Sequence, residues 1–144
     1  MPSDKGVLLL SLKPRFATMI LEGIKTVELR RVAPTVQYGQ YAYIYASAPV
    51  CQLVGICRVV DVKVASIAET WERYGQQCAL TEEEYMSYFE GARRAVAIVI
   101  DSPAHLLEPP SLKTLRQRMA GFTPPQSFRY LNSSMLEELK LQTA

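Results

Sequence analysis

The residues best suited to chemistry are charged side chains concentrated near the amino terminus. They are Lys13, Arg15, Lys25, Thr26, Glu28, Arg30 and Arg31. Lysine and arginine suit phosphate groups, and a carboxylate beside them can act as a general base or accept a hydrogen bond from a nucleobase edge. If the segment is a strand, alternation places Thr26, Glu28 and Arg30 on one face.

Two interpretations of this charged row stay open. Glu28 and Arg30 can pair with each other and still contact a ligand. The same row is also typical of the solvated outer face of a strand whose other face, with Val27 and Leu29, is buried. In a catalytic interpretation, Lys25 and Glu28 are the acid and base groups for hydrolysis of an amide or a phosphodiester.

Apolar patterning predicts the elements that position this row. Val7–Leu12 is a short apolar run, typical of a buried strand. An amphipathic helix follows over Pro14–Glu22, with proline at its first position and Gly23 as its stop. Lys25–Arg31 then alternates in the manner of a strand.

The rest of the chain alternates short strands and short helices. The patterns predict strands at Tyr41–Ala46, Leu53–Val64, Ala95–Ile100 and Ser127–Leu131, and helices at Ser66–Tyr74 and from Thr81, Ser111 and Ser134. Thr81 with Glu84, and Ser134 with Glu137, have capping-box spacing, and Ser102–Pro110 is predicted to be a connector. Most connections are too short for parallel crossovers. We therefore expect an α+β fold, a small mixed β-barrel of about six strands with peripheral helices.

Composition limits the class of protein. The chain has 144 residues, of which 49% are hydrophobic and 21% are charged, so we expect one domain over residues 1–144, with a core over about 7–131 and a C-terminal helix over about 134–142. No apolar run approaches the ~18 residues of a membrane span, and no secretion signal is visible, so we expect a cytoplasmic protein without a membrane partner. The spacing of the three cysteines and single histidine matches no zinc site. The sequence implies no metal or organic cofactor.

Tyrosines provide a second set of candidates, because aromatic rings can stack on unpaired bases. Tyr41, Tyr43 and Tyr45 share one face of their predicted strand. Tyr45 and Ser47, at the end of that strand, are predicted to lie at the edge of a binding cleft. Tyrosines on strands are also common at the rim of a core, so both interpretations stay open.

Two segments, Ser11–Ala17 and Ile20–Arg31, resemble the ASCH domain family of the PUA-like superfamily. The most specific signature is a helix ending in Gly-x-Lys-Thr, here Gly23 to Thr26, followed by a strand with Glu-x-Arg, here Glu28 to Arg30. Later segments agree, and they are Tyr43–Ser47, Val54-Gly55, Thr81–Tyr85, Tyr88–Gly91 and Pro124–Tyr130. The resemblance covers about residues 7–131.

The resemblance implies a module that binds nucleic acid, chiefly RNA, in a cleft on one side of a barrel, with a role in RNA metabolism or transcription regulation. Some members are amidohydrolases that deacylate N4-acetylcytidine, and others are ribonucleases. In the amidohydrolases a lysine, matched here by Lys25, activates a threonine three residues later. This chain has Glu28 at that position.

We therefore expect a protein that binds RNA or a modified nucleoside in a basic cleft. The residues expected to contact this ligand are Lys13, Arg15, Lys25, Thr26, Glu28, Arg30, Tyr45 and Ser47. The alternative is a small hydrolase, similar to the N4-acylcytidine amidohydrolases or to a ribonuclease, that uses Lys25 and Glu28. A regulatory module that acts through a protein partner is a third hypothesis, and DNA stays open as a ligand.

Overall fold

A computed structural model describes residues 6–141 of the chain. Within them lie six strands and five helices. The strands are β1 (Val7–Leu12), β2 (Val27–Arg30), β3 (Tyr41–Ala46), β4 (Gln52–Ser66), β5 (Arg94–His105) and β6 (Phe128–Leu131). The helices are α1 (Pro14–Leu21), α2 (Ile67–Tyr74), α3 (Glu82–Tyr88), α4 (Leu112–Arg118) and α5 (Ser133–Glu138).

The strands form one mixed sheet in the order β2-β5-β4-β3-β1-β6. Only β1 and β3 pair in parallel, and the other four pairs are antiparallel. The sheet curls into a half-barrel whose edge strands, β2 and β6, are not paired with each other. This confirms the predicted α+β fold with a small, strongly curved, mixed sheet.

Both faces of the central strands are buried, because helices cover each side of the sheet. Ala17 and Ile20 of α1 pack against one face, together with Leu10 and Ile44. The opposite face of β1 and β3 packs against Leu115 of α4 and against α5. A third cluster joins β2 and β5 to the two helices α2 and α3. None of the helices in the described range is long and apolar enough to cross a membrane.

The close approach of α1 to the sheet requires a glycine. A Cβ atom on Gly55 of β4 would lie 2.5 Å from Leu21 Cδ2 and 2.6 Å from the carbonyl oxygen of Ala104. A larger residue at this position would disturb the pairing of β4 with β5 at Ala104 and would crowd the Leu21 side chain at the end of α1.

Three local predictions are wrong. The C-terminal helix, predicted over about 134–142, ends at Glu138 in α5, and residue 142 lies outside the described residues. The segment predicted to connect at Ser102–Pro110 instead extends β5 to His105, because Ala104 and His105 find partners on β4 beyond an irregularity in the pairing register. The last helix is capped by Asn132 rather than by Ser134, since Asn132 Oδ1 accepts a hydrogen bond from the Met135 amide at 2.9 Å. The predicted caps Thr81 and Ser111 are confirmed, and Ser66 caps α2.

Candidate functional site

A cleft of about 390 Å³ opens between α1, β2, α3 and the segment that leads into β6. The polar and aromatic residues that line it are Ser11, Lys13, Arg15, Phe16, Lys25, Glu28, Arg30, Glu84, Tyr88, Gln126 and Ser127. Four of these side chains are basic and two are acidic, which gives the lining a net charge of +2. An anionic group is therefore favoured in the cleft.

Arg30 joins the two ends of the curled sheet at this cleft. From edge strand β2, its Nη1 donates to the Ser127 carbonyl oxygen at 3.1 Å and to Ser127 Oγ at 2.9 Å, and its Nη2 donates to the Ser11 carbonyl oxygen at 3.1 Å. The Ser11 amide also donates to the Ser127 carbonyl oxygen, at 2.9 Å. β1 and β2 are thus brought together by one side chain rather than by strand pairing.

Glu28 lies between two buried cations on the floor of the cleft. Its Oε2 is 2.6 Å from Arg30 Nη2, and its Oε1 is 3.3 Å from Lys25 Nζ. The exposed fractions of these residues are 2% for Lys25, 6% for Glu28 and 7% for Arg30. A buried charge needs such partners, because desolvation penalises an unpaired ion. The solvated-face interpretation of this row is therefore wrong.

Hydrogen-bonding capacity remains on this floor. A carboxylate offers about four acceptor sites. Glu28 accepts hydrogen bonds from Arg30 and from the Leu29 amide, the latter at 3.2 Å, and it forms an ion pair with Lys25. Arg30 Nε is buried without a hydrogen-bond partner among the described residues. Lys25 Nζ donates to the Cys78 carbonyl oxygen and lies 5.1 Å from the centre of the Phe16 ring.

The mouth of the cleft carries charges that are more exposed. Lys13 is exposed, and its side chain makes no hydrogen bond or ion pair with the described residues. Arg15 Nη2 lies 3.0 Å from Glu84 Oε2, and the guanidinium stacks over Phe16 with 4.4 Å between its carbon and the ring centre. The Thr81 backbone N–H, and next the Arg15 guanidinium, hold the pKa of Glu84 below its usual value.

Three predicted site residues do not line this cleft. Thr26 lines a smaller cavity of about 180 Å³, which it shares with Lys25 and Cys57. Tyr45 is 2% exposed and packs in the core. Burial, and next a hydrogen bond with the Cys51 side chain, raise the pKa of Tyr45 to about 12. Ser47 is half-buried, and its amide donates to the Leu12 carbonyl oxygen at 2.8 Å.

The sequence does not predict six of the polar and aromatic residues that line the cleft, which are Ser11, Phe16, Glu84, Tyr88, Gln126 and Ser127. Tyr88 lies on α3 near the buried Tyr85 and Phe89, but it is itself 41% exposed and borders the cleft. Partial burial is the main cause that raises the pKa of Tyr88. In the sequence pattern Glu84 is part of a helix cap, and Ser127 lies in the Pro124–Tyr130 segment at the start of the last predicted strand. Both residues lie in segments with recognisable sequence patterns. Because they are far from Lys13 and Arg30 along the chain, spacing alone does not predict that they meet in one cleft.

Comparisons with known proteins agree on one family. The ASCH domain model matches residues 10–104. An "ASCH domain-containing ribonuclease" of Zymomonas mobilis is 33% identical over 136 residues, which cover 94% of this chain and 91% of that protein. The crystal structure of ASCH from Zymomonas mobilis has a TM-score of 0.89 at 33% identity, over 98% of each chain. The N-terminal domain of Staphylothermus marinus McrB shares the fold alone, with a TM-score of 0.57 at 11% identity over 97% of this chain and 98% of that one.

Proposed function

The chain belongs to the ASCH domain family, and from that premise we propose that its cleft binds RNA and cleaves the RNA backbone. The observation that carries the proposal is the buried Lys25–Glu28–Arg30 cluster on the floor of a cleft with a net positive lining. A relative with this extent of similarity is named a ribonuclease, which supports the choice of reaction.

Phosphate binding follows from the charges that have capacity left. Lys13 at the mouth has no partner among the described residues, so it can meet a phosphate without breaking an existing contact. Ser127 is exposed, and its Oγ accepts from Arg30, so its own hydroxyl hydrogen is free to donate to a phosphate oxygen. The exposed Tyr88 ring offers a surface on which a base can stack.

Cleavage follows from the position of Glu28 between two cations. The unused acceptor site of its carboxylate takes the proton from the ribose 2′-hydroxyl, and the 2′-oxygen then attacks the adjacent phosphorus. The bond from phosphorus to the 5′-oxygen breaks, which leaves a 2′,3′-cyclic phosphate on one fragment. The leaving 5′-oxygen takes a proton from water and becomes the 5′-hydroxyl, and Glu28 returns its proton to the solvent. Lys25 and Arg30 stabilise the negative charge that develops on the phosphate oxygens.

The amidohydrolase alternative gains less support from this cleft. Its mechanism needs a threonine nucleophile beside the lysine, and this chain has Glu28 at that position. Thr26, the other threonine of the signature, lines the separate cavity. Among the described residues that line the cleft there is no threonine.

The binding half of the proposal is tested by titrating labelled single-stranded RNA at low and moderate salt. We expect the affinity of the wild type to fall steeply with salt, because phosphate contacts release counterions. Lys13→Ala should weaken binding and lower the slope of log K against log salt by about 1. Lys113→Ala, which removes the same charge from α4 outside the cleft, should leave both unchanged. Absence of binding by the wild type at low salt would overturn the proposal.

The catalytic half is tested with Glu28→Gln. We expect cleavage at least ~100-fold slower than in the wild type, because the general base is lost. Wild-type products should carry 2′,3′-cyclic phosphate and 5′-hydroxyl ends. Circular dichroism and a thermal melt must show that the variant is folded. Unchanged cleavage in the folded variant would remove Glu28 from the mechanism, and RNA binding without any wild-type cleavage would leave a binding protein only.

A further inference from the structure

One cation of the cleft is already engaged by a carboxylate of the same cleft. Arg15 and Glu84 are 69 residues apart in sequence, and they meet at 3.0 Å from opposite walls, α1 and α3. The exposed fractions of the two side chains are 56% and 42%. Both side chains of the pair are thus accessible to a ligand that enters the cleft.

Glu84 is held in place independently of Arg15. It is the N3 residue of the capping box of α3, and Thr81 is the N-cap. Glu84 Oε1 accepts from the Thr81 amide at 3.0 Å, and the Glu84 amide donates to Thr81 Oγ1 at 3.1 Å. Its other oxygen, Oε2, receives Arg15. Because the helix cap anchors the carboxylate, Glu84 cannot follow Arg15 if the guanidinium moves toward a ligand.

Arg15 is, by contrast, a long side chain whose charged end is fixed by Glu84 and by stacking over Phe16. A phosphate that binds the guanidinium competes with the Glu84 carboxylate for Nη2, and the carboxylate also repels the phosphate directly. An exposed ion pair of this kind is weak, so a polyanion can break it.

From this geometry we infer that Glu84 is an internal competitor for the phosphate site on Arg15, which lowers the affinity of the cleft for RNA. The inference rests on the proposed RNA binding and names the residue that limits it. Glu84 acts through Arg15, so it is a positioning residue and not a catalytic one. Its removal should strengthen binding, whereas removal of any residue that merely supports the fold would weaken binding.

The test is a double-mutant cycle on Arg15 and Glu84, read as the Kd for labelled single-stranded RNA. Glu84→Gln keeps an oxygen for the Thr81 amide, so the helix cap survives while the charge is lost. We expect binding about fivefold tighter than in the wild type at low salt. In the Arg15→Ala background the same change should have a much smaller effect.

Glu83→Gln is the matched control, since Glu83 is exposed on the same helix turn and contacts no described cation. It should change Kd less than twofold. In the cleavage assay, Glu84→Gln should lower KM and leave kcat unchanged. Thermal melts of all variants report whether the fold is intact.

Three outcomes would overturn the inference. They are a Kd for Glu84→Gln equal to that of Glu83→Gln, an equal gain with and without Arg15, or weaker binding by the folded variant. In each of these cases the wild type still binds RNA, so the proposed function survives. Failure of the wild type to bind RNA instead removes the proposed function itself, and the competitor with it.

Discussion

At the scale of single residues, the site depends on charges that are removed from water. Glu28 has a cation on each oxygen, and neither Lys25 nor Arg30 is more than one tenth exposed. The cluster carries one positive charge more than Glu28 neutralises, and that excess faces the cleft. This excess charge acts on the cleft through its field, since the donors of Lys25 and Arg30 are already engaged by protein acceptors.

The free energy of unfolding should depend on pH through the buried thiol of Cys57. Burial is the main cause that raises the pKa of its thiol to about 12, and the carboxylates of Glu28 and Asp101 raise it further. The folded state therefore favours the neutral thiol. The stabilisation from this group is present in full below the pKa of the thiol in the unfolded chain, about 8.5, and it is lost as the pH rises toward 12. We expect the free energy of unfolding to fall by about 1 kcal/mol from pH 9 to 10 through this group.

Urea unfolding of the reduced protein at pH 7, 8, 9 and 10 measures this effect. Cys57→Ala should be less stable at every pH but should lose less stability than the wild type between pH 9 and 10. The interval from pH 7 to 8 is the internal control, because the thiol stays neutral there in both states. Parallel pH profiles of the two proteins above pH 9 would contradict the prediction.

At the scale of elements, short helices are placed by their caps. Ser66, Thr81, Ser111 and Asn132 each accept a backbone N–H of the first turn. Three of these caps stand at or beside the positions predicted from the sequence. The fourth differs because Asn132 and Ser134 both lie near the start of the helix, and Asn132 Oδ1 reaches the Met135 amide.

The two candidate caps of α5 can be separated by substitution. Asn132→Ala should lower the free energy of unfolding by about 1 kcal/mol, since it leaves the Met135 amide without its acceptor. Ser134→Ala, inside the first turn, should change it by less than about 0.5 kcal/mol. Urea unfolding of both variants measures the difference. A larger loss in Ser134→Ala would restore Ser134 as the cap.

At the scale of the whole molecule, the curled sheet is held at its open side by Arg30. The side chain reaches from β2 to the carbonyl oxygens of Ser11 and Ser127, beside β1 and β6. The same guanidinium also binds Glu28. Arg30 therefore contributes both to the closure of the sheet and to the formation of the site.

Arg30→Met should therefore loosen the edges of the sheet before its centre. We expect a loss of about 3 kcal/mol in the free energy of unfolding, because Glu28 keeps only Lys25 as a charged partner. Hydrogen exchange should accelerate most at the Ser11 amide and in β6, and least in the pairing of β4 with β5.

The control for that variant is Arg58→Met, which breaks the exposed pair with Asp101 between β4 and β5. It should cost less than about 0.5 kcal/mol and should leave exchange in β6 unchanged. Uniform acceleration across the sheet in Arg30→Met would show that Arg30 supports global stability without a particular role at the open side.

The sequence by itself determined the local features of this protein. Alternation placed Glu28 and Arg30 on one strand face, opposite Val27 and Leu29, and the cap and stop residues placed α1 to α4. Such patterns are readable because they depend on neighbours within a few positions along the chain. The signature around Lys25 also identified the family.

Only the tertiary structure decided which of these residues form a site. Curling of the sheet brought Ser127 to Arg30 across 97 positions and Glu84 to Arg15 across 69, and it buried Tyr45 in the core. Alternation assigns a residue to a face but does not say whether that face is covered by a helix, by water or by a distant segment. That choice depends on how the whole chain packs, so the burial of Glu28 and the lining of the cleft could not be predicted from spacing.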